Sequence, residues 1–383
     1  MSDPLIYLDN NATTPVAPEC MEAMARCLRE SWGNPSSKHR AGEAAKSETL
    51  AARAKVAALL GASPAEIVFT SGGTEANHQA ILGALAALPE RRHVVTSQVE
   101  HPSTLALLRH LESQGVRVTY LPVDGQGRLD LLDLERALTE DTALVSLLWA
   151  NNETGVLFPI AEAARLAAAR GALFHTDAVQ AVGKIPIDVR QVPVDFLSFS
   201  GHKLHAPKGV GALFVRKGRK LAPLLFGHQE RGRRGSTENV PGIAALGVAA
   251  ELAGQALEGA SKGQIGALRD RLERELMARI PGATVNGAGA DRVPGTTSLC
   301  LGPMDAEPVL DQLDRAGICA SAGAACTSAG TEPSHVLLAM GLAPEAALGT
   351  IRFSLSRYTT AAEIDRVVEL LPDIVRAHLA EAA

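Results

Sequence analysis

A chain of 383 residues with 46% hydrophobic content is too long for one small core and too apolar for a disordered polymer. Its net charge of −5 gives no general attraction to nucleic acid or to an anionic membrane surface, which leaves small-molecule chemistry as the favoured class. No apolar run approaches the ~20 residues that span a bilayer, and Asp3 and Pro4 stand where a secretory leader carries basic residues, so a cytoplasmic protein is expected.

Short β-rich runs alternate with helical patterns through the first two thirds of the chain: IVFT (67–70), HVVTS (93–97), VTYLPV (118–123), LVSLLWA (144–150), LFHTDAV (173–179), FLSFSGH (196–202) and GALFVR (211–216). The alternation predicts an α/β fold with a mostly parallel sheet flanked by helices. The runs are apolar nearly throughout, as in strands buried on both faces. Polar clusters follow directly on several of them, where an open α/β sheet places its ligands. From about residue 240 a long Ala/Leu-rich helical stretch follows. After it come two strand runs, TTSLCLG (296–302) and TIRFSLS (350–356), with helices between and after them. The expected organisation is a large domain of residues 16–255 and a smaller α+β domain of residues 1–15 and 256–383.

The chemistry-bearing residues cluster at the ends of these runs. SGGTEAN (71–77) follows IVFT and opens a helix, so its backbone N–H groups, from Gly73 onward, and the Thr74 hydroxyl form a candidate phosphate cup. Glycine pairs mark tight turns as often as anion sites. His101 in VEHPS stands at another strand-to-helix junction, where a ring could lie over a cofactor and shuttle protons, although a lone histidine is more often structural. Asp177 closes the run in HTDAVQ, with Gln180 three residues on; alone, an aspartate there is commonly a helix N-cap. Lys203 in SFSGHK follows a strand directly, behind Ser200 and His202. A lysine there is usually a solvated charge. Together, however, a lysine amine, phosphate donors and a carboxylate are the set that pyridoxal 5'-phosphate (PLP) requires: the amine for its Schiff base and the acid for its pyridine nitrogen.

Five cysteines scattered over the chain make no disulfide framework. Cys20 and Cys27 lie in a helical pattern and Cys300 and Cys319 in strand runs, so these four read as small buried apolar residues. Cys326 stands among Gly, Ala and Ser in SAGAACTSAG (321–330), on a loop expected to be mobile and accessible, as a reactive thiol requires; the alternative is a small residue in a tight turn. Arg352 offers a fork for a substrate carboxylate, or a surface ion pair. The pair His202 and His205 has no convincing third metal ligand nearby. RGRRGSTEN (231–239) reads as a local anion or subunit contact.

The sequence resembles the group I cysteine desulfurases of the NifS and IscS type, in the class-V aminotransferase family of fold-type-I PLP enzymes. The matching segments are YLDNNATTP (7–15), GNPSS followed by His39, SGGTEAN, EHPS, NNETG (151–155), HTDAVQ, SFSGHK, RRGSTEN and the Cys326 loop, in the family's order over nearly the whole chain. The resemblance implies that Lys203 links PLP and carries protons, Asp177 meets the pyridine nitrogen, Gln180 the ring oxygen and His101 the ring face. Thr74, Ser200 and His202 would hold the phosphate, Asn152 and Arg352 the substrate carboxylate, and Asn11 and Asn152 would complete the substrate and cofactor contacts. Thr237 would reach the phosphate of a second subunit, making an obligate homodimer.

The implied activity takes the sulfur of L-cysteine onto Cys326 as a persulfide and releases L-alanine. The sulfur would then pass to an acceptor or iron–sulfur scaffold protein, with iron–sulfur contact at Cys326 only in transfer and no resident metal. Two departures stand out: the loop reads SAGAAC with fewer serines than is common, and the chain stops soon after its final helix, which favours the NifS subtype. The alternatives are a selenocysteine lyase or aminotransferase of the same fold, or a non-catalytic sulfur-relay scaffold subunit. An aminotransferase has no use for Cys326.

Overall fold

The structure is a computed structural model that describes residues 5–259, 263–322 and 332–382. In chain order its strands are β1 (Ile6–Tyr7), β2 (Ile67–Thr70), β3 (His93–Ser97), β4 (Arg117–Leu121), β5 (Thr142–Leu148), β6 (Leu173–Asp177), β7 (Phe196–Ser200), β8 (Gly211–Val215), β9 (Thr284–Val285), β10 (Thr296–Cys300), β11 (Ile318–Cys319), β12 (Ser321–Ala322) and β13 (Thr350–Ser354).

Seven of them form one sheet in the order β2-β8-β7-β6-β5-β3-β4. All pairings from β7 to β4 are parallel, whereas β8 is antiparallel to both β2 and β7. The reversal has a simple cause. Residues 201–210 between β7 and β8 are too few for the crossover of about a dozen or more residues that a parallel return needs. Every residue of β2, β3 and β5–β8 is buried, as apolar runs covered on both faces should be; only the edge strand β4 is largely half-exposed. One apolar cluster, including Phe69, Val145, Phe174, Phe199 and Phe214, lies on one face, and another, including Val94, Leu144, Phe196 and Leu213, on the other.

Most runs end as strands before their apolar pattern ends. LVSLLWA stops at Leu148 and LFHTDAV at Asp177, yet Trp149, Ala150 and Ala178 remain buried. The overrun is core-packed loop at the carboxyl edge of the sheet, so hydrophobicity persists where pairing does not. The expectation about bilayer-length runs also needs correction: helix Val240–Glu258 is long and apolar enough to cross a membrane. It is instead packed against helices Pro18–Glu30 and Arg40–Leu60. Contact is close enough that a Cβ on Gly247 would lie 2.6 Å from Ala52 Cα, which explains the run of Ala and Gly.

A second, antiparallel sheet has the order β12-β13-β10-β9. Its core includes Leu272, Leu276, Leu299, Ile351, Phe353, Ile364 and Leu371, contributed by its strands and by helices Gln264–Arg279 and Ala361–Ala382. Leu8 joins this core, and β1 pairs with β11. The same N-terminal segment then reaches the large sheet, where the Thr14 N–H and Oγ1 both donate to the His202 carbonyl, at 3.1 and 2.9 Å. The segment thus ties the two sheets together beside the carboxyl ends of β6 and β7.

Candidate active site

A cavity of about 320 Å³ opens where these carboxyl ends meet the N-terminal segment. Asp177 is the last residue of β6 and 6% exposed. Its Oδ2 accepts from Asn77 Nδ2 at 2.6 Å and its Oδ1 from the Val179 N–H at 3.0 Å. The second bond resembles an N-cap, but a turn and not a helix follows. The carboxylate therefore keeps acceptor capacity toward the cavity it lines.

Helix Gly73–Ala87 points its N-terminus into the same cavity, and the N–H groups of its first turn have no intrahelical acceptor. A Cβ on Gly73 would stand 2.8 Å from Val179 Cγ2, so glycine lets the helix start press against the turn after Asp177. Thr74, Ser200 and His202 line the wall beside it. This is a donor set for an anion. Burial first, then Lys203 and Lys208, pushes His202 down to about 4, so its ring is neutral at neutral pH. Its Nδ1 lies 3.1 Å from Thr13 Oγ1.

Lys203 ends a short 3-10 turn directly after β7. Its Nζ donates to the carbonyls of Asn11 at 2.5 Å and Ala12 at 2.6 Å. His101 caps helix Pro102–Ser113: its Nδ1 accepts from the Ser103 N–H at 3.1 Å, which places the proton of the neutral ring on Nε2. Burial holds its pKa below the usual value; nearby Asp177 opposes this and Lys203 adds to it.

On the opposite wall, Arg352 is central in β13 and 2% exposed. Nη2 donates to Asp9 Oδ1 at 2.8 Å and Nη1 to the Asn152 carbonyl at 3.2 Å, while Nε has no protein partner among the described residues. Asn11 Nδ2 bonds the same Asn152 carbonyl at 3.0 Å and Thr296 Oγ1 at 2.9 Å. Gln180 Nε2 donates to the Asn11 carbonyl at 3.0 Å. Asn11, Asn152, Gln180 and Arg352 thus form one hydrogen-bonded rim, and all four line the cavity.

Two expected site residues are not in this group. Thr237 is exposed and does not line the cavity; its loop is held to helix Gly73–Ala87 by Arg234–Glu75 at 2.6 Å and by Gln79 Nε2 on the Arg233 carbonyl at 2.6 Å. Cys326 lies outside the described residues. The described chain stops after β12, where Ser321 opposes Arg352, and resumes at residue 332, shortly before Ser334, whose Oγ donates to Glu153 Oε2 at 2.5 Å.

Among the other cysteines, Cys20, Cys27 and Cys300 are buried as expected, but Cys319 is half-exposed because its strand belongs only to the two-stranded β1–β11 pair. Burial pushes Cys20 up to about 11 and raises Cys27 and Cys319, so these thiols stay protonated at neutral pH. His205 contacts the Pro15 carbonyl at 2.9 Å and stacks edge-on to Tyr358.

Sequence reasoning missed Asn77 and Lys184. Asn77 carried a legible signal, since it stands one helical turn after Thr74 and shares its face. Lys184, which bonds Asn11 and Gln180, follows a turn with no periodicity to mark it.

Residues 6–367 match the family described as Aminotransferase class-V. The chain is 55% identical over 372 residues to a cysteine desulfurase of Trichormus azollae, covering 97% of this chain and 93% of that one. It is 53% identical to the cysteine desulfurase NifS of Azotobacter vinelandii, with 97% and 92% covered. Among solved structures it is similar to a NifS-like protein at a TM-score of 0.90 and 38% identity, over 97% of this chain and 99% of that one. It is also similar to SspA in complex with cysteine, at a TM-score of 0.81 and 35% identity, over 93% and 100%.

Proposed function

We propose, from the premise that this chain belongs to the class-V aminotransferase family, that it is a PLP-dependent cysteine desulfurase acting through a persulfide on Cys326. The observation that carries the reading is one cavity holding a lysine amine, a carboxylate with spare acceptor capacity, an open helix N-terminus and a buried guanidinium. That donor set fits PLP: the Gly73 helix start with Thr74, Ser200 and His202 for its phosphate, Asp177 for the ring nitrogen, Gln180 for the ring oxygen, His101 for the ring face and Lys203 for covalent attachment. When bound, the cofactor supplies an electron sink for bonds broken at the substrate's α- and β-carbons.

The chain's own residues do the rest. Arg352 takes the cysteine carboxylate with donors not spent on Asp9 and Asn152, and Asn152 lines the same cavity. Lys203 Nζ accepts the α-proton and returns it. The Cys326 sulfur attacks the substrate sulfur; the C–S bond breaks, an S–S bond forms, and two thiols become one persulfide plus alanine with no external oxidant or reductant. Cys20, Cys27 and Cys319 are poor competitors, because burial and not a nearby cation governs them.

The finer proposals are a homodimer in which Thr237 reaches the partner's phosphate site, a cytoplasmic location, and delivery of sulfur to an acceptor or iron–sulfur scaffold protein. Support for the first is the exposure of Thr237 on a loop anchored to the phosphate-site helix. The test is to incubate the PLP-loaded protein with L-cysteine and a reductant and to measure alanine and sulfide. Equimolar products are expected; pyruvate with sulfide, or no alanine, would overturn the reading.

A further inference from the structure

Behind the rim of the cavity lies a second lysine with no part in the chemistry above. Lys184 is half-buried, with its amine turned inward: Nζ donates to Asn11 Oδ1 at 2.7 Å and to Gln180 Oε1. A lysine amine placed between two side-chain oxygens acts only as a donor to them. Flipping either amide would set an NH2 group against Nζ, donor against donor. The lysine therefore dictates which way both amides face.

The two amides then have fixed duties. With Oε1 taken, Gln180 offers the cavity only N–H, one of which bonds the Asn11 carbonyl at 3.0 Å. With Oδ1 taken, Asn11 spends Nδ2 on the Asn152 carbonyl and Thr296 Oγ1, joining the NNETG turn to the smaller sheet. The Asn11 carbonyl is also an acceptor for Lys203.

We propose that Lys184 is a positioning residue that locks the Gln180 amide with its N–H toward the ring oxygen of the cofactor and locks Asn11 as the bracket for Lys203 and Asn152. The inference rests on the PLP reading of the cavity. An N–H held against the ring oxygen stabilises its ionised form, and so lowers the basicity of the nitrogen that shares a proton with it. The titratable groups facing Lys184 are Lys203 and His205 from the turn after β7 and Arg352 from β13; those facing Lys203 include His101 and His202. Burial first, then Lys203 and Arg352, holds the Lys184 pKa well below its usual value. Removing Lys184 frees the Gln180 amide to turn, and so raises the pH at which the Lys203-linked cofactor would lose its proton.

The test is a pH titration of the visible absorption of the PLP-loaded protein, with PLP affinity measured separately by equilibrium dialysis. Lys184→Met is expected to move the midpoint up by about one unit and weaken PLP binding roughly tenfold. Lys184→Arg, which keeps inward donors, is expected to stay near wild type. The shift should shrink when Lys184→Met is made in a Gln180→Ala background, because the two residues act through one bond. If Lys184→Met does not fold, Lys184→Gln, which offers one uncharged NH2 group in place of the amine, should give a smaller shift of the same sign. A midpoint and affinity equal to wild type in the Met or Gln variant, or an equal shift in both Gln180 backgrounds, would overturn the proposal. Failure of the wild type itself to bind PLP would overturn the cofactor reading instead.

Discussion

Replacing Arg352 with Met should cut kcat/KM for L-cysteine about 100-fold while leaving cysteine methyl ester within about tenfold. The guanidinium is 2% exposed, and of its five N–H groups one bonds Asp9 and one the Asn152 carbonyl, so it reaches the cavity as a desolvated cation with donors to spare. Truncating one member of a buried, hydrogen-bonded charge pair costs about 2–5 kcal/mol, and about 2.7 kcal/mol corresponds to a 100-fold loss. The ester has no carboxylate to pair and should lose only packing. Asp9 also loses its partner, but its side chain is 19% exposed, so the folding penalty should fall below the roughly 3–5 kcal/mol of a fully buried pair. The Asp9→Asn/Arg352→Met double variant removes that orphaned charge and should recover stability without recovering cysteine turnover. Steady-state kinetics on both substrates, with thermal melts, make the test. Equal losses on cysteine and its ester would refute carboxylate recognition by Arg352 and leave it a structural arginine.

Asp177→Asn should fold nearly as well as wild type, because Asn77 Oδ1 is buried, has no partner among the described residues and can turn to accept from the new amide. Turnover should nevertheless fall by at least roughly 100-fold as the charge on the ring nitrogen is lost; kcat within a few-fold of wild type in a PLP-saturated variant would contradict the assignment. His175 is fully buried between Ser146 Oγ at 2.8 Å and Ser198 Oγ at 2.9 Å, and burial pushes it down to about 3. Its folded pKa lies below the unfolded value near 6.5, so its contribution is complete above pH 6.5 and is lost as pH falls toward 3. At pH 5 the loss reaches about 2 kcal/mol. Urea unfolding at pH 7 and pH 5 should show that loss shrinking in His175→Gln; an identical pH dependence in both proteins would exclude His175 as its source.

Site residues were legible in the sequence where an apolar run ends on a polar side chain, as at Asp177, Ser200 and Lys203, because that junction marks the carboxyl edge of a buried strand. Strand direction was not legible. The run at 211–215 looks like its neighbours, and only the short connection at 201–210 accounts for its reversal. Two-residue strands such as β1, β11 and β12 carry no measurable period, yet they place Leu8, Cys319 and Ser321. The Asn11–Lys184–Gln180 network escaped notice because Asn11 comes from a separate segment and meets the local Gln180–Lys184 pair only through tertiary folding. Cys326 stands out in composition alone, and its role rests on chemistry.

That role is tested most directly by mass spectrometry of the PLP-loaded protein after a single turnover of L-cysteine without reductant. A gain of one sulfur atom on the peptide that contains Cys326, matched by one alanine per site and absent in Cys326→Ala, is the predicted result. Sulfur on the peptide of Cys319 or Cys300, with Cys326→Ala still releasing alanine at the wild-type rate, would contradict the account.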